Sequence, residues 1–134
     1  MTANKVRVPI ESAVDIVMAR QKGRSLALEL GFDGAEVTLI AAAISEVSRN
    51  IVEYAKRGEI VLQPNRNGAK CGLCVVARDQ GPGIPDVAQA LQYGYSTRKG
   101  LGVGLPGAKL LMDEFDIASK VGEGTTITMT KWLH

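Results

Sequence analysis

Glu46 and Asn50 lie four residues apart in ISEVSRN, which puts them on one face of a helix turning about 100° per residue. A carboxylate can take up a proton or a counter-charge, and a carboxamide oxygen is a neutral ligand for a hard cation. Their face is well away from the apolar stripe Val37, Ile40, Ala41, Ile44, Val47, Ser48, Ile51 and Ala55. The pair therefore faces either water or something bound. In the first case Glu46 makes a surface ion pair with Arg49 or with charges around Lys56.

A second group begins at Asp79, in DQGPGIP, and continues through YGYSTRKGLGVGLPGAK. Asp79 shares strand parity with Leu73, Val75 and Ala77, so it extends their face into a pocket. A carboxylate in such a place requires hydrogen-bond donors. Gly81 and Gly83 let backbone approach a flat base or a phosphate without a Cβ between. The cluster Gly100, Gly102 and Gly104 opens a helix, and the N–H groups from Gly102 through Val103 and Gly104 to Leu105 form an anion site. Arg98 and Lys99 add positive charge beside it. Each part suits a different portion of a nucleoside triphosphate, and the stretch reads as an ATP site.

Two other nucleotide motifs fail on context. Gly102-x-Gly104-x-x-Gly107 matches the dinucleotide fingerprint, but YSTRKG ahead of it is no buried strand. Where an acidic residue is needed about 20 positions on, the chain has the turn VGEGT. A G-x-x-x-x-G-K-[ST] loop is absent from the sequence.

The elements that must position these residues follow from local signals. Lys5–Ile10 alternates as a strand; Ser12 caps a helix that runs to Gly31, with Gly23 weakening it or marking close packing. Asp33, with Glu36 three residues on, caps the Glu46–Asn50 helix, which Gly58 ends. Glu59–Leu62 and Gly72–Ala77 are strands joined through an Asn67-Gly68 hairpin turn. A short helix from Pro85 to about Gln92 and a loop from Tyr93 to Gly100 precede a helix from Gly104 to Met112, with Pro106 in its first turn. Phe115–Lys120 and Thr125–Leu133 are the last strands, with Ile127 and Met129 inward. The class is α+β: a two-layer sandwich with a mixed, mostly antiparallel sheet of about five strands covered by about three helices.

Bulk properties exclude several functions. At 134 residues the chain is one domain, 1–134, and 46% hydrophobic residues make it globular. Aromatics at 4% and a scattered net charge of +2 argue against a nucleic-acid partner. No apolar run approaches the ~20 residues of a membrane span, and MTANKVRVPIES lacks a secretory core, so a cytoplasmic protein is expected. On a strand, the Cα atoms of Cys71 and Cys74 are ~10 Å apart, beyond the roughly 7 Å of a disulfide. One histidine, His134, provides no zinc set, so two packed thiols are expected.

In order and spacing, four segments resemble the boxes of the Bergerat (GHKL) ATP-binding fold shared by gyrase, the Hsp90 chaperone, histidine kinases and MutL. The Glu46–Asn50 helix is similar to its N box. Asp79-Gln-Gly81-Pro-Gly83, Gly100-Leu-Gly102-Val-Gly104 and Gly122-Glu-Gly124-Thr125-Thr126 resemble its glycine boxes. About sixteen residues between Gly83 and Gly100 leave room for a short lid, and the one histidine lies at the end, unlike histidine kinases. The chain thus resembles the bacterial anti-sigma-factor serine kinases. Within them, ISEVSRNIVEYA and STRKGLGVGLPGAKLLMDEF look most like the RsbT-type switch kinases of the stressosome.

The resemblance implies ATP with Mg2+. It implies Asp79 accepting from the adenine amino group, Gly81 and Gly83 beside the ring, and Thr125 supporting the base. Asn50 would hold the metal, the Gly100–Leu105 segment the phosphates, and Arg98 and Lys99 the leaving charge. Glu46 would accept the proton of a serine or threonine on a partner. It also implies STAS-domain antagonist or scaffold partners, and a PP2C-type phosphatase or a sigma factor. The alternative is an anti-sigma factor or nucleotide-gated switch whose main output is docking.

Overall fold

The computed structural model describes residues 5–84 and 104–133. The first two helices begin where an aspartate side chain serves their unpaired backbone N–H groups. In α1, Ala13–Leu30, the Asp15 carboxylate reaches back to accept from Glu11 N–H at 2.8 Å and Ser12 N–H at 3.2 Å. Gly31 closes the helix at φ 103°, a left-handed conformation open to glycine. Helix α2, Gly34–Asn50, starts with Asp33 Oδ1 accepting from Glu36 N–H at 2.8 Å. The predicted stripe is buried from Val37 to Ile51. A Cβ on Gly23 would collide with Ile44 Cδ1, so that glycine marks a close approach of α1 to α2.

The end of α2 departs from expectation. After Asn50 the helix widens into a π turn, Ile51–Ala55, and stops at Lys56 with φ 76°. Gly58 is not the helix stop; it opens a strand.

Among the described residues the strands are β1 (Val6–Ile10), β2 (Gly58–Asn67), β3 (Lys70–Asp79), β4 (Glu114–Lys120) and β5 (Gly124–Trp132). They lie in the order β1-β2-β3-β5-β4, and every pairing is antiparallel. Helix α3, Gly104–Leu111, leads into β4. Because β5 lies between β3 and β4, β4 runs in the direction of β3 without pairing to it. Strands β2 and β3 are longer than expected. Among the described residues, pairing with β1 stops at Val6↔Leu62 and Pro64 is paired only to Leu73 on β3, where a missing N–H is tolerated. The hairpin turn is Gly68-Ala69, one residue later than expected, with Asn67 paired to Lys70 and Gly68 at φ 64°.

The helices cover one sheet face, on which Ile10, Ile60, Leu62, Leu73, Val75, Ala77, Ile127 and Met129 are buried. Each large aliphatic side chain there contributes about 1.5–3 kcal/mol. Cys71 and Cys74 are free thiols. No helix among the described residues is long and apolar enough to cross a membrane. The short helix expected from Pro85 and the loop from Tyr93 to Gly100 lie outside the described residues.

Candidate active site

Two clusters carry the candidate chemistry, and the first sits at the end of β3. Asp79 follows Leu73, Val75 and Ala77 on the helix-covered face and is 9% exposed. Its Oδ1 accepts from Gly81 N–H at 2.8 Å, which leaves the carboxylate with acceptor capacity. Its strand neighbours are Gly58 on β2 and Thr125 on β5. A Cβ on Gly58 would strike the Arg78 carbonyl, and one on Gly124 the Asp79 carbonyl. Glycine on both sides therefore lets the strand end close tightly around the carboxylate.

The turn after Asp79 is clamped from two sides. A Cβ on Gly81 would lie 2.5 Å from Ala55 Cβ, so the turn rests on the last residue of the π turn. Gly83, at φ 80°, lies against the Lys120 carbonyl, and Gly122 N–H donates to Pro82 O at 2.9 Å. Thr125 is buried, and its hydroxyl lies 2.7 Å from Ser119 Oγ. Ser119 Oγ accepts from Ile84 N–H at 2.7 Å. Sequence reasoning missed Ser119. The signal was present: it shares the parity of Phe115 and Ile117, a hydroxyl in an otherwise apolar register.

The second cluster lies where α2 meets α3. Glu46 Oε1 accepts from Gly104 N–H at 3.0 Å, and Oε2 lies 3.0 Å from Arg49 Nη1. The Glu46 side chain is 12% exposed. The ion pair with Arg49 exists, yet it is not the solvated pair that a surface helix face would carry. Asn50, half-buried, is the last residue of α2. Gly104, at φ 67°, begins α3, and Leu105 and Pro106 behind it are buried against the core. The start of α3 thus offers an N–H group to a carboxylate. Arg98, Lys99, Gly100, Gly102 and Val103 lie outside the described residues.

The π turn links the clusters. Asn50 stands at its start and Ala55, against Gly81, at its end. π turns insert one extra residue and recur at functional sites. A recess of about 560 Å3 also opens at the end of β2 and β3, lined by Glu11, Arg57, Glu59, Arg78 and Asp79 among others. Ala55, at the end of the π turn, also lines it, whereas Glu46 and Asn50 do not.

Among the described residues no cluster of three or more histidine, cysteine or acidic groups exists to hold a metal. The carboxamide of Asn50 is a single neutral oxygen donor, so a Mg2+ ion there would take most of its shell from phosphate and water. Asn50 is the residue that would hold it.

The model of the histidine kinase-like ATPase domain family matches residues 11–131. The chain belongs to that family. Among its relatives is the serine/threonine-protein kinase RsbT of Bacillus subtilis (strain 168), 51% identical over 95% of this chain and 96% of that one. The anti-sigma F factor of Thermoanaerobacter sp. (strain X514) is 32% identical over 73% of this chain and 71% of its own. A crystal structure of the RsbU and RsbW domains of a Mycobacterium tuberculosis protein matches in fold, with a TM-score of 0.64 at 22% identity. It covers 96% of this chain, which spans about 32% of that one. For this ATPase domain family, the sandwich of helices on an antiparallel sheet is the fold that carries the two clusters.

Proposed function

We propose that this chain is an ATP-dependent serine/threonine protein kinase that phosphorylates a partner protein. The observation that carries the reading is Glu46: an enclosed carboxylate at the first N–H of α3, one helical turn from Asn50. The 51% identity to a serine/threonine kinase over nearly the whole chain supports it. Asp79 accepts from the adenine amino group, and Gly58, Gly81 and Gly124 let the main chain pack closely enough to hold that carboxylate in place. Thr125, tied to Ser119, supports the base. Mg2+ on Asn50 supplies charge neutralisation at the phosphates when bound. Leu105 and the segment before Gly104 receive the phosphates, with Arg98 and Lys99 beside it, while the Gly104 N–H stays with Glu46. Glu46 takes the proton of the attacking hydroxyl as its oxygen bonds to the γ-phosphorus and the bridging P–O bond breaks, releasing ADP.

The partners are small STAS-domain proteins of a cytoplasmic stress-signalling pathway, with a PP2C-type phosphatase as a further target. A second reading, a nucleotide-gated docking switch acting on a sigma factor, is favoured by the relatives that are anti-sigma F factors. Radiolabelled ATP with purified STAS-domain proteins, and in parallel with a purified sigma factor, tests both. Label on the partner, lost about 100-fold or more in Glu46→Gln with ATP binding retained, is expected for the kinase. Partner co-elution without label supports the switch, and equal labelling by Glu46→Gln removes Glu46 from the mechanism.

A further inference from the structure

Arg49 has so far no part in the chemistry. It lies on α2 three residues after Glu46, on the adjoining surface of the same helix. Its Nη1 approaches Glu46 Oε2 to 3.0 Å, and its side chain is 31% exposed. That nitrogen is shut off from solvent and has no well-aligned acceptor among the described residues, and its contact with Glu46 is a Coulombic one rather than a directed hydrogen bond.

The carboxylate of Glu46 is thus held from two directions. One oxygen is fixed by a backbone N–H of another helix, which does not move independently of α3. The other is drawn by a cation on its own helix. Contacts at both oxygens confine the carboxylate, which one contact alone leaves free to rotate, to a small swing. A proton acceptor works only when its lone pair points at the proton, and small misplacements are expensive in rate.

We propose that Arg49 is a positioning residue: it holds the Glu46 carboxylate against the first N–H of α3, in the orientation from which Glu46 takes up the proton. This rests on the reading of Glu46 as the proton acceptor. Because the grip of Nη1 is not directional, it follows the carboxylate over a small swing instead of locking it. Arg49 itself touches neither nucleotide nor acceptor. Its loss shows in turnover and leaves ATP affinity alone.

The first measurement uses the unliganded full chain, by following the Gly104 amide in 15N spectra and in hydrogen exchange. Glu46→Ala sets the signature of a freed Gly104 N–H. Arg49→Met and Arg49→Gln should move the amide toward that signature, and Arg49→Lys should hold it near wild type. A Gly104 amide unchanged in both neutral variants overturns the proposal. The second measurement is label transfer from ATP to a purified STAS-domain protein. Turnover about 10–100-fold lower in the neutral variants, with ATP affinity within about threefold of wild type and substantial rescue by lysine, is expected. Wild-type turnover in Arg49→Met, or a loss of ATP affinity that accounts for the whole effect, also overturns it. Full transfer by Glu46→Gln removes instead the reading of Glu46, while the amide result still reports whether Arg49 holds that side chain.

Discussion

The two halves of the candidate site are built from different materials. Around Asp79 the walls are backbone: Gly58, Gly81, Gly83 and Gly124 bring main chain into contact where any side chain would collide or strain. Around Glu46 the walls are long side chains, Glu46 and Arg49, meeting one N–H of α3. Recognition of a rigid, flat group is served by a surface that cannot adapt. Proton transfer needs a group that can turn through a small angle. The strand end should therefore lose stability abruptly when altered, whereas changes on the helix face should cost rate more than stability.

The sharpest break is Gly124→Ala. A Cβ would meet the Asp79 carbonyl at a residue with φ 107°, so strain and collision add. A loss of roughly 3 kcal/mol or more is expected in urea denaturation. A loss under about 0.5 kcal/mol would show the strand end to be adaptable after all. Next is Asp79→Asn. The amide oxygen still accepts from Gly81 N–H, so the fold should survive, while ATP affinity falls about 30–100-fold, or about 2–3 kcal/mol. Titration calorimetry decides it, and unchanged affinity would detach Asp79 from the base.

Ser119→Ala leaves Ile84 N–H without its acceptor and Thr125 without its partner. About 1 kcal/mol should be lost, with faster hydrogen exchange at Ile84, and an unaltered Ile84 amide would count against the clamp. The smallest effect is expected on the buried side of α2. Ser48 is fully enclosed and its hydroxyl has no hydrogen-bond partner among the described residues. Ser48→Ala should be neutral or raise stability by up to about 1 kcal/mol, read as a small rise in Tm; a clear fall would reveal a partner for the hydroxyl.

What could be read from the chain alone was what neighbours in sequence decide. Ser12, Gly31 and Asp33 mark helix ends through groups a few residues away, and the parity of Asp79 with Ala77 follows from strand alternation. The hydroxyl pair of Ser119 and Thr125 was harder, because its purpose becomes visible only with Ile84, 35 residues from Ser119. Gly58 was read as a helix stop since nothing local announces a cross-strand carboxylate at Asp79. The enclosure of Glu46 depends on α3 arriving from 58 residues away. The π turn left no local trace, because it answers to where Gly81 must rest and not to the preferences of Ile51–Ala55.

That widened turn makes residue number matter more than residue identity between Asn50 and Lys56. Dropping a single position would restore ordinary helical winding, swing Ala55 away from beneath Gly81 and leave the loop after Asp79 without its floor. Conservative exchanges among these side chains should be absorbed, whereas one codon gained or lost would uncouple the two halves of the cleft without touching any residue that meets the nucleotide.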